Sequence, residues 1–385
     1  MRTQALVVGG GPAGSTAARI LSKDNDVLLV EEHPTPGEPL QCAGLVTPRG
    51  IPRFAKESVV GEVKGVRFHS PTGFVLSLHA TRPRACVIDR SHFDRIMFHR
   101  AVDSGAVPLV GTSVKTILDT GKGIVAQCRS EGATAEVHAE LAVGADGYKS
   151  ICRRAAHLPA PRHMLTGIQV DLKGVELDPE FVEVYLGRQV APGFFAWAIP
   201  AEDIARVGLC TWDVDEPPVV FLKKLLSRPE FSRARKVSAA SGKVPVGHRK
   251  SAVRGRIMLV GDAACHPKPL SGGGVYTGIR GAELCAEVAG RYLKSPGGCD
   301  LREYDSLWMG EFGKEQTKAF RLRKIFLNLD DNKLDKALRM FDDSSLKRFL
   351  EERGDIDYPA SLSPSVLKLV PRLAQFSPQI VESLL

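Results

Sequence analysis

The chain has 385 residues, 43% of them hydrophobic and 25% charged, an ordinary globular balance with room for two or three domains. It holds no apolar run of about 18 residues, which excludes a membrane-spanning helix. The eight cysteines form no CxxC pair, which argues against a zinc ribbon or a thioredoxin-like site and suits a reducing cytoplasm; no metal site is expected.

The formal net charge of +8 is local. Residues 221–256 carry eleven Lys/Arg against the single acid Glu230, a balance of +10 that leaves −2 for the rest. Such a window is either a solvated basic face or a docking face for an anionic partner such as a phospholipid surface. Its only aromatic residues are Phe221 and Phe231, and it has no RNA-binding signature, so no nucleic-acid partner is expected. The chain opens directly on a strand pattern, without the pattern of a leader peptide.

Ala5–Val8 is a short apolar run of the kind found in a buried parallel strand. Gly9-Gly10-Gly11-Pro12-Ala13-Gly14 follows, then an Ala-rich helical stretch over Ser15–Ser22. Val27–Val30 is a second strand, ending on Glu31-Glu32. This is GxGxxG in its working context, with an acid 17 residues beyond the last glycine. Gly9 permits the tight turn, Gly11 lets backbone approach a pyrophosphate, and Gly14 lets helix and strand pack closely. The helix N-terminus offers N–H groups to phosphate. Glu31, which directly ends the apolar run, is the expected ribose acceptor, with Glu32 facing water.

The chain then departs from a dehydrogenase. Residues 33–50 are Pro- and Gly-rich and read as an irregular loop. Residues 66–78 read as a hairpin turning at Pro71-Thr72-Gly73. Val87–Arg90 returns to a strand and leads into a helix near 91–104. Residues 107–145 alternate as strands with turns at Gly121 and Gly132, closing on Gly144-Ala145-Asp146-Gly147. Strands recur over 166–212. Residues 257–290 repeat the strand–glycine loop–helix theme through Gly261-Asp262 and Ser271–Gly274, and from 300 onward the pattern is helical and charged.

Three elements in order, Val8–Gly14, Gly144–Gly147 and Gly261-Asp262-Ala263-Ala264, resemble the fingerprints of the para-hydroxybenzoate hydroxylase-like FAD superfamily. The resemblance implies that FAD is the cofactor. The first element would cradle its ADP half, Asp146 and Gly147 would lie near the pyrophosphate, and Asp262 would accept from the ribityl chain. Gly273, Gly274 and Val275, opening a helix, would present N–H groups to the electron-rich edge of the reduced flavin. Val114 would contact adenine through its backbone.

Within that superfamily the chain is most similar to the geranylgeranyl reductase family over roughly residues 1–300. Four stretches carry this. Gln41-Cys42-Ala43-Gly44-Leu45 matches a loop beside the isoalloxazine. Asp89-Arg90-Ser91-His92-Phe93-Asp94 resembles an element whose arginine contacts FAD. Pro192–Pro200 resembles a stretch lining the substrate cavity. Gly261–Ala264 with Pro269–Val275 is the fourth. Phe195 stands where the family usually has Tyr and Ile199 where it usually has Phe. The resemblance implies an α/β fold with a Rossmann-like FAD-binding domain from 1–65, 87–160 and 250–300. A mainly β substrate-binding domain would come from 66–86 and 161–249, and a helical C-terminal region from 301–385. The implied activity is hydride transfer from reduced FAD to geranylgeranyl double bonds on archaeal-type ether phospholipids. Phe194, Phe195, Trp197 and Ile199 would line an apolar tunnel that holds the alkene and excludes water. Cys42 is the one candidate acid, since a thiol is ordinarily protonated at neutral pH.

The electron donor stays open among ferredoxin, a deazaflavin and NAD(P)H, because no second GxGxxG is present. The expected location is cytoplasmic, peripheral to the membrane where the basic window touches lipid. Two rival readings remain. One is a flavin-dependent monooxygenase or halogenase, since Phe195-Ala196-Trp197-Ala198-Ile199-Pro200 is one residue from a halogenase stretch; no glycine-flanked halogenase-type lysine accompanies it. The other is a non-catalytic flavin-bound lipid carrier. His266 reads as structural.

Overall fold

The computed structural model describes residues 1–40, 42–247, 249–295 and 298–371. Gln41 and residues 372–385 of the expected C-terminal region lie outside the described residues. The most apolar short runs of the chain form the parallel centre of an eight-stranded sheet. Val107–Leu109, Val27–Val30, Arg2–Val8, Ala133–Gly144 and Ile257–Leu259 lie side by side in that order, all parallel. In chain order the strands read third, second, first, fourth, fifth, with the switch point beside Arg2–Val8. Leu6, Val7, Leu29, Ala142 and Leu259 are fully or almost fully buried, as continuous apolar runs in a parallel sheet require. Helices Pro12–Leu21, Arg90–Asp103 and Val275–Lys294 form one layer, Pro12–Leu21 packing between the other two. In place of a helical crossover, an antiparallel meander of Ser113–Asp119, Ile124–Ser130 and Ala133–Gly144 returns the chain to the sheet. Gly121 and Gly132 turn it with φ of +77° and +76°.

The second sheet has seven strands and draws on two distant stretches of chain. Arg235–Val246, His163–Lys173, Ile204–Thr211, Ala196–Ala201 and Phe181–Tyr185 pair antiparallel in that order. Phe181–Tyr185 then pairs parallel with Gly65–His69, the first arm of the hairpin completed by Val75–His79. The period of two sorts its faces. Ala196 and Ala198 go to a core with Val207, Leu209, Phe221 and Leu225 beneath helix Pro218–Leu226. Ile199, with Phe195 and Trp197 packed alongside, goes to the opposite core with Val63, Val87 and Val184. That second face meets the FAD-type part of the molecule.

Two local assignments change. Among the described residues of 33–50 the chain is irregular except that Leu45–Val46 pairs with Ala85–Ile88 and Pro48–Gly50 forms a 3-10 turn. Ala85–Ile88 pairs also with Val59–Val63 in a separate three-stranded sheet and does not join the parallel one. Its run was legible as strand; its partners come from an unpatterned loop. The basic window spreads over helix Pro218–Leu226, the edge strand Arg235–Val246 and the short strand Val253–Arg254. The described residues beyond 300 are mostly helical, and helix Asp331–Met340 docks on the hairpin, where Asp335 accepts from Ser70 Oγ at 2.5 Å, from Thr72 and from Arg339 Nε at 2.7 Å.

Candidate flavin site and active site

The three glycines of the first turn are required for different reasons. Gly9 has φ of +102°, and a Cβ on it would fall 2.4 Å from the Ala145 carbonyl oxygen. A Cβ on Gly14 would fall 1.9 Å from the Gly9 oxygen. Those two are fixed by the protein itself. Gly11 is not: its φ is −67°, which any residue adopts, and its Cβ direction meets nothing within 4 Å. Helix Pro12–Leu21 begins there with Pro at its start, no side-chain cap and no acid in its first turn. Ala13 packs 3.2 Å from the Cβ direction of Gly261 and 3.7 Å from that of Gly278, so the first and third sequence elements touch.

Glu31 is 8% exposed while Glu32 is exposed. Oε2 of Glu31 accepts the Gly10 N–H at 2.7 Å, and Oε1 accepts the His33 N–H at 2.9 Å with the His33 ring Nδ1 2.8 Å away. The backbone of Glu31 is bonded to Leu109 and Thr112 at 2.9 Å each, which brings half-buried Val114 at the start of Ser113–Asp119 to the same end of the sheet.

Asp146 ends the fourth parallel strand. Its Oδ2 caps Ile151–Ala155, accepting from the Ile151 and Cys152 N–H groups at 2.7 and 3.1 Å. Its Oδ1 is buried and without a partner among the described residues. Gly147 has φ of +68° and open space beside it. Asp262 follows the fifth parallel strand. Oδ1 lies 3.6 Å from the Cβ direction of Gly274, at the mouth of helix Val275–Lys294. That helix also starts with no side-chain cap and no acid in its first turn. Burial pushes the Asp262 carboxyl up to about 6, against the pull of the Arg90 charge. The turn before the helix is closed by the Lys268 N–H to the Gly273 oxygen at 3.0 Å and the Gly272 N–H to the Lys268 oxygen at 2.8 Å. Gly273 sits over Lys268, whose Nζ is bonded to Asp357 at 2.6 Å.

Arg90 opens helix Arg90–Asp103 behind the capping Asp89. Its Nε and Nη2 donate to Asp94 at 3.0 and 2.8 Å in a mostly buried pair. Burial opposes the Arg90 charge, but Asp94 and the Cys42 sulfur outweigh it, so the guanidinium stays protonated. Its charge thus bears on Cys42 and on Asp262 together. Cys42 Sγ receives the Gly44 N–H at 3.4 Å. Sequence reasoning missed what fixes this loop. Arg206, from the second sheet, donates through Nη1 to the Ala43 oxygen at 3.0 Å and the Ile88 oxygen at 2.8 Å. Gly44 has φ of +75°, and a Cβ there would fall 2.2 Å from that Nη1. A lone arginine in the apolar run Ala205–Cys210 was the available signal.

The four aromatic-run residues are contiguous but unequal. Phe194 stacks on Phe195 with centroids 4.0 Å apart, and Phe195 meets Trp197 edge-on at 6.3 Å. Trp197 covers Gly208 and donates its indole N–H to Gln169 Oε1 at 3.2 Å. Phe194 and Ile199 are buried in protein cores, whereas Phe195 and Trp197 keep partly exposed surface. His266 is a core residue. Its Nδ1 accepts the Gly261 N–H at 3.1 Å, its Nε2 lies 3.2 Å from the Tyr304 hydroxyl, and its ring stacks 3.7 Å from Trp308. Burial lowers it to about 3, so it is neutral.

Several features around the carboxyl ends of the parallel strands have no partner among the described residues. They are the open side of Gly11, two uncapped helix starts, Asp146 Oδ1 and the Asp262 carboxylate. A diphosphate, two sugar-alcohol segments and an electron-rich ring edge fit them, as FAD provides. Fold and site therefore define a flavin-dependent oxidoreductase with FAD as its cofactor. The FAD binding domain family matches residues 2–293. An uncharacterized protein of Methanocaldococcus jannaschii is 32% identical over 369 residues, 94% of each chain. Digeranylgeranylglycerophospholipid reductase 1 of Methanothermobacter thermautotrophicus is 32% identical over 364 residues, 89% of this chain and 91% of that one. Among solved structures, a geranylgeranyl bacteriochlorophyll reductase-like protein of Thermoplasma acidophilum superposes with a TM-score of 0.82 at 23% identity, over 97% and 99% of the two chains. A Pseudomonas putida p-nitrophenol 4-monooxygenase shares the fold alone, with a TM-score of 0.74 at 17% identity over 91% and 99%. The chain belongs to the geranylgeranyl reductase family of FAD-binding proteins.

The raised Asp262 carboxyl gives a signed prediction. Only an ionised Asp262 can accept from hydroxyls without giving up a proton, so with Asp262 on the ribityl chain FAD affinity would rise with pH through about 6 and then level off. Below that point affinity falls by up to about tenfold per pH unit, for one proton. Titrating deflavinated protein with FAD from acid to neutral pH checks this. Asp262→Asn flattens the profile, and a flat wild-type profile contradicts the assignment.

Proposed function

We propose that this chain is an FAD-dependent reductase that hydrogenates the C=C bonds of geranylgeranyl chains, on archaeal-type ether phospholipids. The observation that carries the reading is the position of the Cys42 loop: Arg206 pins it to the second sheet, on the face that bears Phe195 and Trp197. A thiol thus stands where an apolar sheet face meets the flavin elements. The names of relatives such as the Methanothermobacter enzyme support the same substrate class. The 66–86 and 161–249 segments would form the substrate-binding part, with the described residues of the C-terminal region closing one side.

Bound and reduced FAD supplies a hydride. Phe195 and Trp197 hold the isolated alkene in an apolar setting that excludes water. Cys42 gives its proton to the carbon that does not take the hydride; its S–H bond breaks as the new C–H bond forms, and solvent reprotonates the thiolate. Arg90 stabilises that transient thiolate and stays charged through its pair with Asp94. Gly11 and Gly147 would hold the diphosphate, with Asp146 near it, Glu31 and Val114 would hold the adenosine, and Asp262 with Gly273, Gly274 and Val275 the ribityl and ring edge. An external donor, ferredoxin, a deazaflavin or NAD(P)H, delivers the electrons.

The lipid substrate calls for access to a bilayer. No helix among the described residues is long and apolar enough to cross one. Val219, Val220 and Val237 are exposed, interspersed with exposed Lys223, Lys224, Arg235 and Lys236. That mixture of basic and apolar groups suits the surface of an anionic leaflet. Changing those four basic residues to Gln is expected to weaken cosedimentation with anionic vesicles severalfold, and unchanged binding would remove the membrane face from the account.

The activity test is anaerobic. Dithionite-reduced holoprotein mixed with geranylgeranyl ether phospholipid is expected to reoxidise as the lipid gains two hydrogens per double bond by mass spectrometry. Cys42→Ser is expected to lower turnover by about 10²-fold or more, the scale of a lost general acid, with FAD binding retained. Reoxidation only on admitting O₂, with oxygen or halogen in the product, would select the monooxygenase or halogenase reading. Tight lipid binding with no turnover would select the carrier.

A further inference from the structure

Helix Lys314–Leu327 lies beyond the matched family region, yet it sends a charged side chain into the interior. Arg323 is 2% exposed. Its Nη1 donates to the Pro269 oxygen at 3.1 Å and its Nη2 to the Gly193 oxygen at 2.7 Å. Its guanidinium carbon lies 4.2 Å from the Trp212 ring centre and 4.9 Å from that of Phe194. Pro269 leads into the Gly272–Gly274 turn, and Gly193 leads into Phe194–Ile199. The two stretches also meet directly, since the Cβ direction of Gly272 ends 3.4 Å from Phe194. One side chain from the C-terminal region therefore ties the flavin turn to the aromatic run.

The electrostatics of Arg323 differ from those of Arg90. Arg90 is paired with Asp94, whereas Arg206, like Arg323, donates to main-chain carbonyls and has no ion pair among the described residues. Arg323 has no carboxylate at ion-pair distance among the described residues, and its Nε is buried without a hydrogen-bond partner. Burial pushes its pKa down to about 9, with the Cys210 sulfur acting the other way. Carbonyl dipoles and ring faces offset part of the cost of this charge, and the remainder favours a nearby anion. The isoalloxazine becomes an anion when it takes up two electrons and one proton.

We propose that Arg323 is a positioning residue that holds the Pro269–Gly274 turn against the aromatic run and, by its uncompensated positive charge, raises the reduction potential of the bound flavin. The proposal rests on FAD binding and not on the prenyl substrate, so its outcome is separate from that of the reductase reading.

The experiment is the midpoint potential of bound FAD, by anaerobic equilibration with redox dyes, in wild type, Arg323→Met and Arg323→Lys. Arg323→Met is expected to cut the preference for reduced over oxidised FAD by about tenfold, which for a two-electron couple is about 30 mV. Arg323→Lys keeps the charge and is expected to restore most of it. If Arg323→Met does not retain FAD, Arg323→Gln, which keeps a donor toward Gly193, takes its place with the same expected fall. A wild-type potential in the uncharged variant, with melting temperature alone reduced, overturns the proposal. So does an equal fall in the Lys and Met variants, which would assign the effect to shape. An unchanged potential with weakened phospholipid binding would assign the charge to the lipid phosphate and overturns it as well.

Discussion

Everything at the site depends on one close approach, the start of helix Pro12–Leu21 against the end of strand Arg2–Val8. A side chain at Gly14 would collide with the Gly9 oxygen, and one at Gly9 with the Ala145 oxygen. With both positions bare, the helix start points at the crevice beyond the carboxyl edge of the sheet, where the two halves of strand order diverge. The same closeness lets Ala13 touch the Gly261 and Gly278 positions, so a second helix start, that of Val275–Lys294, converges on the crevice. Two sets of free N–H groups and two partial positive charges then face the same space. Asp146 and Asp262, each at the end of a parallel strand, are held there with acceptor capacity to spare.

Across the crevice the chemistry reverses. The seven-stranded sheet presents a face of Phe195, Trp197 and Ile199, with bare Gly208 beneath the indole. The seams between the two halves are closed by guanidinium groups bonded to main-chain carbonyls. Arg206 reaches Ala43 and Ile88, and Arg323 reaches Pro269 and Gly193. A planar fork suits this task, because it can bridge two backbone segments at once and leave the loops free of side-chain carboxylates. The Cys42 loop and the Gly272–Gly274 turn are thus each fixed by a residue from outside the dinucleotide-binding part.

What was legible in the sequence was local. The strand–glycine turn–helix at the front, the Asp146-Gly147 and Gly261-Asp262 turns, and the Gly272–Gly274 turn into a helix each combine turn chemistry with apolar runs only a few residues away. The hairpin over Gly65–His69 and Val75–His79 was legible for the same reason. What stayed hidden depends on pairing across long sequence separations. Nothing in Gly65–His69 announces a parallel partner at Phe181–Tyr185, and nothing in Ala85–Ile88 announces Val59–Val63. Arg206 is a lone charge in an apolar run whose reach to the Cys42 loop no local pattern announces, and Arg323 sits in a helix that carries several other charges. The aromatic run was legible as a set, yet its division into core residues and partly exposed ones is decided by the Leu165 and Val63 cores on either side.

The central claim, that the crevice is shaped around a diphosphate-containing cofactor, is tested most directly by a pair of glycine substitutions. Folded stability and FAD dissociation constant would be measured side by side for Gly11→Ala and Gly14→Ala. The account predicts that Gly11→Ala keeps the wild-type melting temperature, since its Cβ meets no protein atom, while FAD affinity falls about tenfold or more, a loss of about 1.4 kcal/mol. Gly14→Ala is predicted to lower stability by about 1–3 kcal/mol, the usual cost of overpacking, and to lose FAD with it. Wild-type FAD affinity in Gly11→Ala would contradict the account.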